Sequence, residues 1–143
     1  MGAREITLTA ALDVHFDAIV ALERGAGRSL VALTEGHALQ EARERGHETV
    51  VALAGDAVVG WIWYGRSLER GAEEIGQIYR VAVASDARRG GIARALLTHA
   101  RDTLAALGCT RLRATVDGED AAARRLFEDA GFVVDAVVME RAL

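Results

Sequence analysis

The chain contains no lysine, no proline and no asparagine in its 143 residues. All 17 of its basic residues are therefore arginine. Without lysine, Schiff-base chemistry and the phosphate-binding lysine of a P-loop are excluded. Without proline and asparagine, turns fall to the 15 glycines and to Asp and Ser. The single cysteine, Cys109, excludes an internal disulfide and every cysteine-cluster metal site. Long apolar runs are missing too. Val50–Ala54 and Ala136–Met139 fall far short of the about 20 residues that cross a bilayer. The opening stretch MGAREITLTA lacks a long apolar core, so it does not read as a signal peptide. A cytoplasmic protein with no membrane partner is expected. The net charge of −4 gives no positive field to steer phosphate, which argues against a dedicated nucleic-acid binder.

What is present suits one globular domain over residues 1–143. A hydrophobic content of 51% is too high for disorder, and the length suffices for a sizeable core. Glu5–Thr9 alternates as a strand. Asp13 caps a helix to about Glu23, with Val14, Ile19 and Leu22 apolar. Residues 25–32 read as loop or a weak helix start, and Thr34–Arg45 as a helix stopped by Gly46. Thr49–Ala54 and Ala57–Tyr64 are strands about a Gly55-Asp56 turn. In the second of them Trp61 and Trp63 share one face, and Ile62 and Tyr64 the other. Ile75–Val83 is a further strand. Gly90–Leu107 carries Ile92, Leu96, Ala100, Leu104 and Leu107 on one helical face, and Gly108 ends it. Arg111–Val116 is a strand, Glu119–Ala130 a helix stopped by Gly131, and Phe132–Glu140 a final strand. The order β-α-α-β-β-β-α-β-α-β describes a mixed α/β domain.

The stretch that carries chemistry is Tyr79–Ala93, YRVAVASDARRGGIA. A strand ends at Val83, a polar turn follows, and Arg88-Arg89-Gly90-Gly91-Ile92-Ala93 opens the long helix. The first amides of a helix have no partners within it, and the helix dipole adds partial positive charge there. Small residues let a ligand approach the backbone. The combination suits a phosphate or pyrophosphate, with Arg88 and Arg89 adding charge-assisted contacts. The plainer alternative is a glycine turn with two solvated arginines. Neither the P-loop nor the dinucleotide-binding glycine pattern is present.

Arg88-x-x-Gly91-x-Ala93 resembles the Q/R-x-x-G-x-G/A signature of GNAT-superfamily N-acetyltransferases. Val116-x-x-x-Asp120-x-x-Ala123-x-x-Leu126-Phe127-x-x-x-Gly131-Phe132 is similar to a second pattern of that family. The element order fits over nearly the whole chain. The resemblance implies a mixed central sheet of six to seven strands flanked by four helices. It also implies acetyl-CoA as co-substrate. The strand holding Val81, Ala82 and Val83 would splay from the Arg111–Val116 strand, and pantetheine would pair with the backbone of Val81 and Val83 as an added strand. The pyrophosphate would rest on the amides of Arg89, Gly90, Gly91, Ile92, Ala93 and Arg94. The Val81 amide would be the oxyanion donor.

Several positions depart from the family pattern. A tyrosine often follows the leucine of the second motif and protonates the leaving thiolate. Here Phe127 stands there and has no proton to give. Since a thiol pKa is about 8.5, a thiolate can leave without a dedicated acid. Asp120 replaces an asparagine, and its plainer role is to cap the helix. Many members carry a glutamate base where this chain has Gln77, which can orient a water but takes no proton at neutral pH. Glu73 and Glu74 lie just upstream, and Glu74 is the expected base, against the plainer reading of a solvated loop residue. Other members carry a glutamate where this chain has Thr115. Tyr79, read as sharing a face with Gln77, Val81 and Val83, could line the acceptor pocket, and Trp61 and Trp63 could wall it or pack in the core.

His15, His37, His47 and His99 lack metal-ligand spacing, so no metal is expected. Cys109 reads as a buried structural thiol. Two functions stand side by side. One is an acetyl-CoA-dependent N-acetyltransferase acting on an unidentified primary amine. The other is a non-catalytic acyl-CoA-binding module of the same fold, suggested by Phe127 and Gln77. The acceptor would be set by Arg24–Gly36 and the last strands. A homodimer completing the acceptor side is a further expectation.

Overall fold

The computed structural model describes residues 5–25, 38–88, 90–116 and 120–143. Five strands form one sheet in the order β1-β2-β3-β4-β5. They are β1 (Ile6–Ala10), β2 (Glu48–Ala54), β3 (Ala57–Arg66), β4 (Ile75–Val83) and β5 (Arg111–Ala114). The first three pairings are antiparallel, and β4 with β5 is parallel. The helices are α1 (Phe16–Gly25), α2 (Ala38–Glu44), α3 (Ile92–Ala106) and α4 (Ala121–Asp129). Four helices about a mixed sheet match the expected class. The strand count does not, because Phe132–Glu140 forms no ladder. Phe132 itself folds back, its amide donating to the Phe127 carbonyl at 2.9 Å. The residues after it have strand-like sequence but no paired edge among the described residues.

The two faces of the sheet carry separate cores. On one face Ile62, Tyr64, Ile78 and Val81 pack with Ile92, Leu96, Ala100 and Leu104 of α3 and with Phe127 of α4. Leucine and isoleucine at helical spacing put one stripe of α3 onto the sheet. The stripe ends one turn early: Leu107 is the C-cap of α3 and is half exposed. Two glycines let α3 come close. A Cβ on Gly60 would lie 3.1 Å from Ile92, and one on Gly76 would lie 2.6 Å from Leu104. On the other face Ile19 of α1 and Leu39 of α2 cover Val51, Trp61 and Ala82. Val14, expected on the buried side of α1, lies in a short 3-10 turn (Asp13–His15) and faces solvent.

A bulge in β4 changes which residues share a face. Trp63 pairs with Arg80 and Tyr64 with Ile78, so Tyr79 is an extra residue opposite no partner. An extra residue shifts the alternation by one. Ile78 and Val81, three apart in sequence, accordingly lie in the same core under α3. Tyr79 instead stacks on His47 at 4.6 Å and lies 5.4 Å from Trp63. Tyr79 is thus on the α1/α2 face, opposite to Val81 and Val83, and the expectation of a shared face is corrected.

Candidate active site

The segment joining β4 to α3 makes the site. Val83 ends β4, a short 3-10 turn (Ser85–Ala87) follows, and α3 begins at Ile92 behind Gly91. Gly91 is the N-cap in the left-handed region, at φ 77°, with no side-chain cap. A side chain there would be strained by about 1–2 kcal/mol. The first bond within the helix runs from the Ala95 amide to the Gly91 carbonyl, at 2.9 Å. The amides of Ile92, Ala93 and Arg94 precede it and point out of the helix start.

These amides open on a cavity of about 230 Å³ between the start of α3 and α4. Val83, Arg88, Gly91 and Arg94 line one side, and Leu126, Asp129 and Ala130 the other. The volume is below the about 300–1,000 Å³ of a pocket that takes a whole ligand, so it suits one section of a longer molecule. Arg88 and Arg94 form no ion pair with another described residue. Asp129 opposes them. Two guanidinium groups and the positive end of a helix outweigh one carboxylate, and the cavity favours an anion.

Beside the cavity the sheet opens. β5 pairs with β4 only from Ile75 to Ile78, whereas β4 runs on to Val83. On the opposite side β4 stays paired with β3 as far as Val83, and the Ala84 amide donates to the Val59 carbonyl at 2.8 Å. The backbone of Tyr79–Val83 thus extends past the end of β5. An extended ligand can lie along such an edge as a strand would.

The sequence-derived residues separate into three groups. Val83, Arg88, Gly91, Ile92, Ala93 and Arg94 meet at the cavity. Val81 and Ala82 lie on the strand leading into it, with Val81 under α3 and Ala82 under α1. Gly90 adjoins Gly91, and Arg89 lies outside the described residues, as do His37 and residues 26–36. Asp120 caps α4, its Oδ1 accepting from the Ala123 amide at 3.0 Å. Phe127 turns from the cavity into the core, where its ring meets Phe132 edge to face at 5.1 Å.

Glu74 and Gln77 are not brought together with the cavity. Glu74 is exposed just before β4, and its carbonyl accepts from the Thr110 and Arg111 amides. Seven residue steps along the chain separate it from Val81, about 23 Å at about 3.3 Å each. Gln77 is half-buried, and its Nε2 donates to the Ile78 carbonyl at 3.4 Å. Thr115 is exposed beyond the end of β5. Cys109 is buried, and no group of residues able to hold a metal occurs among the described residues.

Two buried polar groups on the α1/α2 face escaped the sequence reading. Glu23 of α1 is fully buried and accepts from Trp61 Nε1 at 2.8 Å. The signal was its position four residues after Ile19, one turn along the buried stripe. His47 is buried too, with Nδ1 accepting from Trp63 Nε1 at 3.1 Å. Nδ1 is therefore the unprotonated nitrogen, and Nε2–H is buried without a partner among the described residues. Burial, helped by Arg45, holds His47 below its usual pKa. Burial pushes the Tyr79 hydroxyl up. Nothing in the sequence linked His47 to Trp63 and Tyr79, since the three meet only through strand pairing.

Comparison with known proteins agrees with this geometry. Residues 18–132 match the model of the acetyltransferase (GNAT) family. A mycothiol acetyltransferase of Streptomyces scabiei is 35% identical over 83 residues, which is 58% of this chain and 26% of that protein. The aligned segment thus spans about a quarter of that relative's length. The crystal structure of a ribosomal-protein-alanine N-acetyltransferase from Brucella melitensis superposes with TM-score 0.74 at 27% identity, over 87% of this chain and 83% of that one. A transcriptional regulator from Bacillus halodurans shares the fold with TM-score 0.78 at 22% identity, over 97% of this chain and 100% of the other. No helix among the described residues is long and apolar enough to cross a membrane. A glycine-capped helix beside a parallel strand pair in which β4 outruns β5, and a family match over residues 18–132, lead to one conclusion: the chain belongs to the GNAT family of acetyltransferases.

Proposed function

We propose that residues 1–143 form one acetyltransferase domain that moves an acetyl group from acetyl-CoA to a primary amine by direct attack. The observation that carries this reading is β4 running five residues past its pairing with β5, beside the glycine-capped start of α3. The pyrophosphate would be held by the amides from Arg89 to Arg94 and by the Arg88 and Arg94 side chains. The pantetheine arm would lie along the Val81–Val83 backbone. When bound, acetyl-CoA supplies an acetyl group activated as a thioester. Attack by the neutral amine forms the C–N bond and breaks the C–S bond, and the thiol leaves with a proton the amine gives up.

The protein's contribution on this reading is position, with little side-chain proton chemistry. Phe127 has no proton to give, Gln77 takes none, and Glu74 stands before the start of β4, away from the cavity. The amine then reaches the site already neutral or loses its proton to water. One relative is a mycothiol acetyltransferase and another a ribosomal-protein-alanine N-acetyltransferase, so the relatives do not agree on one acceptor. The proposal therefore stops at a primary amine. Release of free thiol from acetyl-CoA on adding an amine library tests it. Turnover lost in Gly91→Glu supports the enzyme.

Phe127 and Gln77 also favour a second reading, an acyl-CoA-binding module with no turnover. Saturable acetyl-CoA binding without thiol release for any amine would support the module and reject the enzyme.

A further inference from the structure

The β4 bulge puts two consecutive side chains on one face. Trp63 of β3 pairs with Arg80, and Tyr79 is the extra residue beside it. The two residues of a bulge oppose the same partner, and cross-strand partners share a face. Tyr79 and Arg80 therefore stand together with Trp63 on the α1/α2 face. They stand where β4 has outrun β5, whose pairing stops at Ile78. Neither has a partner for its polar end. The Tyr79 hydroxyl makes no hydrogen bond, and the Arg80 guanidinium no ion pair, among the described residues. The arginines that lead into β2 differ. Arg43 holds Asp13 and the Ala11 carbonyl, and Arg45 holds Glu41 at 2.6 Å. Carboxylates on the helices of this face are engaged elsewhere: Glu23 accepts from Trp61, Glu41 from Arg45 and Glu44 from Gln40. Against the Tyr79 ring, His47 stacks at 4.6 Å and adds a buried N–H without a partner among the described residues. This corner of the face thus gathers hydrogen-bond donors and one positive charge with no counter-ion.

We propose that Tyr79 and Arg80 hold a carboxylate of the acceptor, so that the amine acetylated here belongs to a molecule with a carboxylate close to its amino group. The proposal rests on the coenzyme site described above. With the coenzyme in the cavity between α3 and α4 and its arm along the free edge of β4, the α1/α2 face is left for the amine to approach from. Arg80 is the neighbour of Val81, about 3.8 Å away at Cα, so a carboxylate held by Arg80 keeps the amine near the thioester. The planar guanidinium matches a carboxylate with two parallel N–H donors, and the Tyr79 hydroxyl gives a third bond. Positioning is also what a site without a side-chain base most needs from its protein. A free amino acid and a peptide with an acidic first residue both carry this chemistry.

The acetylated products serve as probes. N-acetylglycine, its uncharged partner N-acetylglycinamide, and N-acetyl-aspartyl-alaninamide are titrated into the full chain with CoA present, followed by tryptophan fluorescence. Wild type is expected to bind a carboxylate probe at least about tenfold more tightly than N-acetylglycinamide, the size of one charge-assisted bond. Preference for N-acetylglycine identifies an amino acid, and preference for the aspartyl probe a peptide. Arg80→Gln should remove the preference, and Tyr79→Phe should remove part of it. Arg80 is exposed, so the melting temperature of Arg80→Gln should stay as in wild type. Equal binding of charged and uncharged probes by wild type overturns the proposal, as does no binding of any probe. So does a preference that survives Arg80→Gln. CoA binding is read separately by calorimetry and should be the same in wild type and Arg80→Gln. Loss of CoA binding with the carboxylate preference intact would strike the coenzyme site alone.

Discussion

The two faces of the sheet are built on different terms. The face under α3 and α4 packs aliphatic side chains around Tyr64, Phe127 and Phe132, and its cavity opens at the amides that start α3, beside Arg88 and Arg94. The face under α1 and α2 buries a carboxylate and an imidazole, each tied to a tryptophan indole. Backbone recognition asks for small residues and a helix start, which leave a short contiguous trace in sequence. The buried side-chain pairs draw on Glu23, His47, Trp61, Trp63 and Tyr79, from α1, the residue before β2, β3 and β4, and leave none.

That contrast can be broken in steps. The largest effect is expected at Gly91. Saturating acetyl-CoA at a hundredfold over Kd should stabilise wild type by about 2.7 kcal/mol, near 10 °C in melting temperature for a chain of this size. Gly91→Glu adds a carboxylate at the anion site and should abolish the shift, as read by differential scanning fluorimetry. Next comes Leu96, fully buried between α3 and the sheet. Leu96→Ala should cost about 2–5 kcal/mol in urea denaturation. A smaller loss is expected on the other face. Trp61→Phe keeps the ring but removes the donor to a buried carboxylate, and should cost about 1–3 kcal/mol by the same measurement.

The acid response should also come from the α1/α2 face. His47 has a folded pKa below its unfolded value of about 6.5. Below that pH the unfolded chain binds a proton that the folded chain refuses, so the stability His47 contributes is lost as pH falls. Wild type should therefore lose more melting temperature than His47→Gln between neutral pH and pH values below about 6.5. Parallel curves would mean that His47 carries no such cost. The smallest change is expected at Asp120. Asp120→Ala removes the cap of α4 and should cost about 1 kcal/mol, with acetyl-CoA binding retained if capping is its whole role.

How much was legible follows the same division. Strand Ile75–Val83, the stripe Ile92–Leu104 and the glycine stops at Gly46, Gly108 and Gly131 follow from periodicity and from the positive φ that each glycine supplies. The β4 bulge was not legible, because an extra residue in a strand depends on what its neighbour pairs with. That single residue turned Tyr79 from the Val81 face to the opposite one. The last segment failed for a related reason. Its valine-rich sequence is strand-like, yet a strand exists only where a neighbour pairs with it, and this segment joins no ladder. Glu74 is a carboxylate near Gln77 in sequence, but it precedes β4 and does not line the cavity.

The central claim is that the start of α3 and the open edge of β4 form a coenzyme site. Isothermal titration of acetyl-CoA into wild type and Gly91→Glu tests it most directly, with circular dichroism to confirm that both are folded. The account predicts one saturable site in wild type and none in the variant. No heat from wild type at high coenzyme concentration, or equal binding by both proteins, would contradict it.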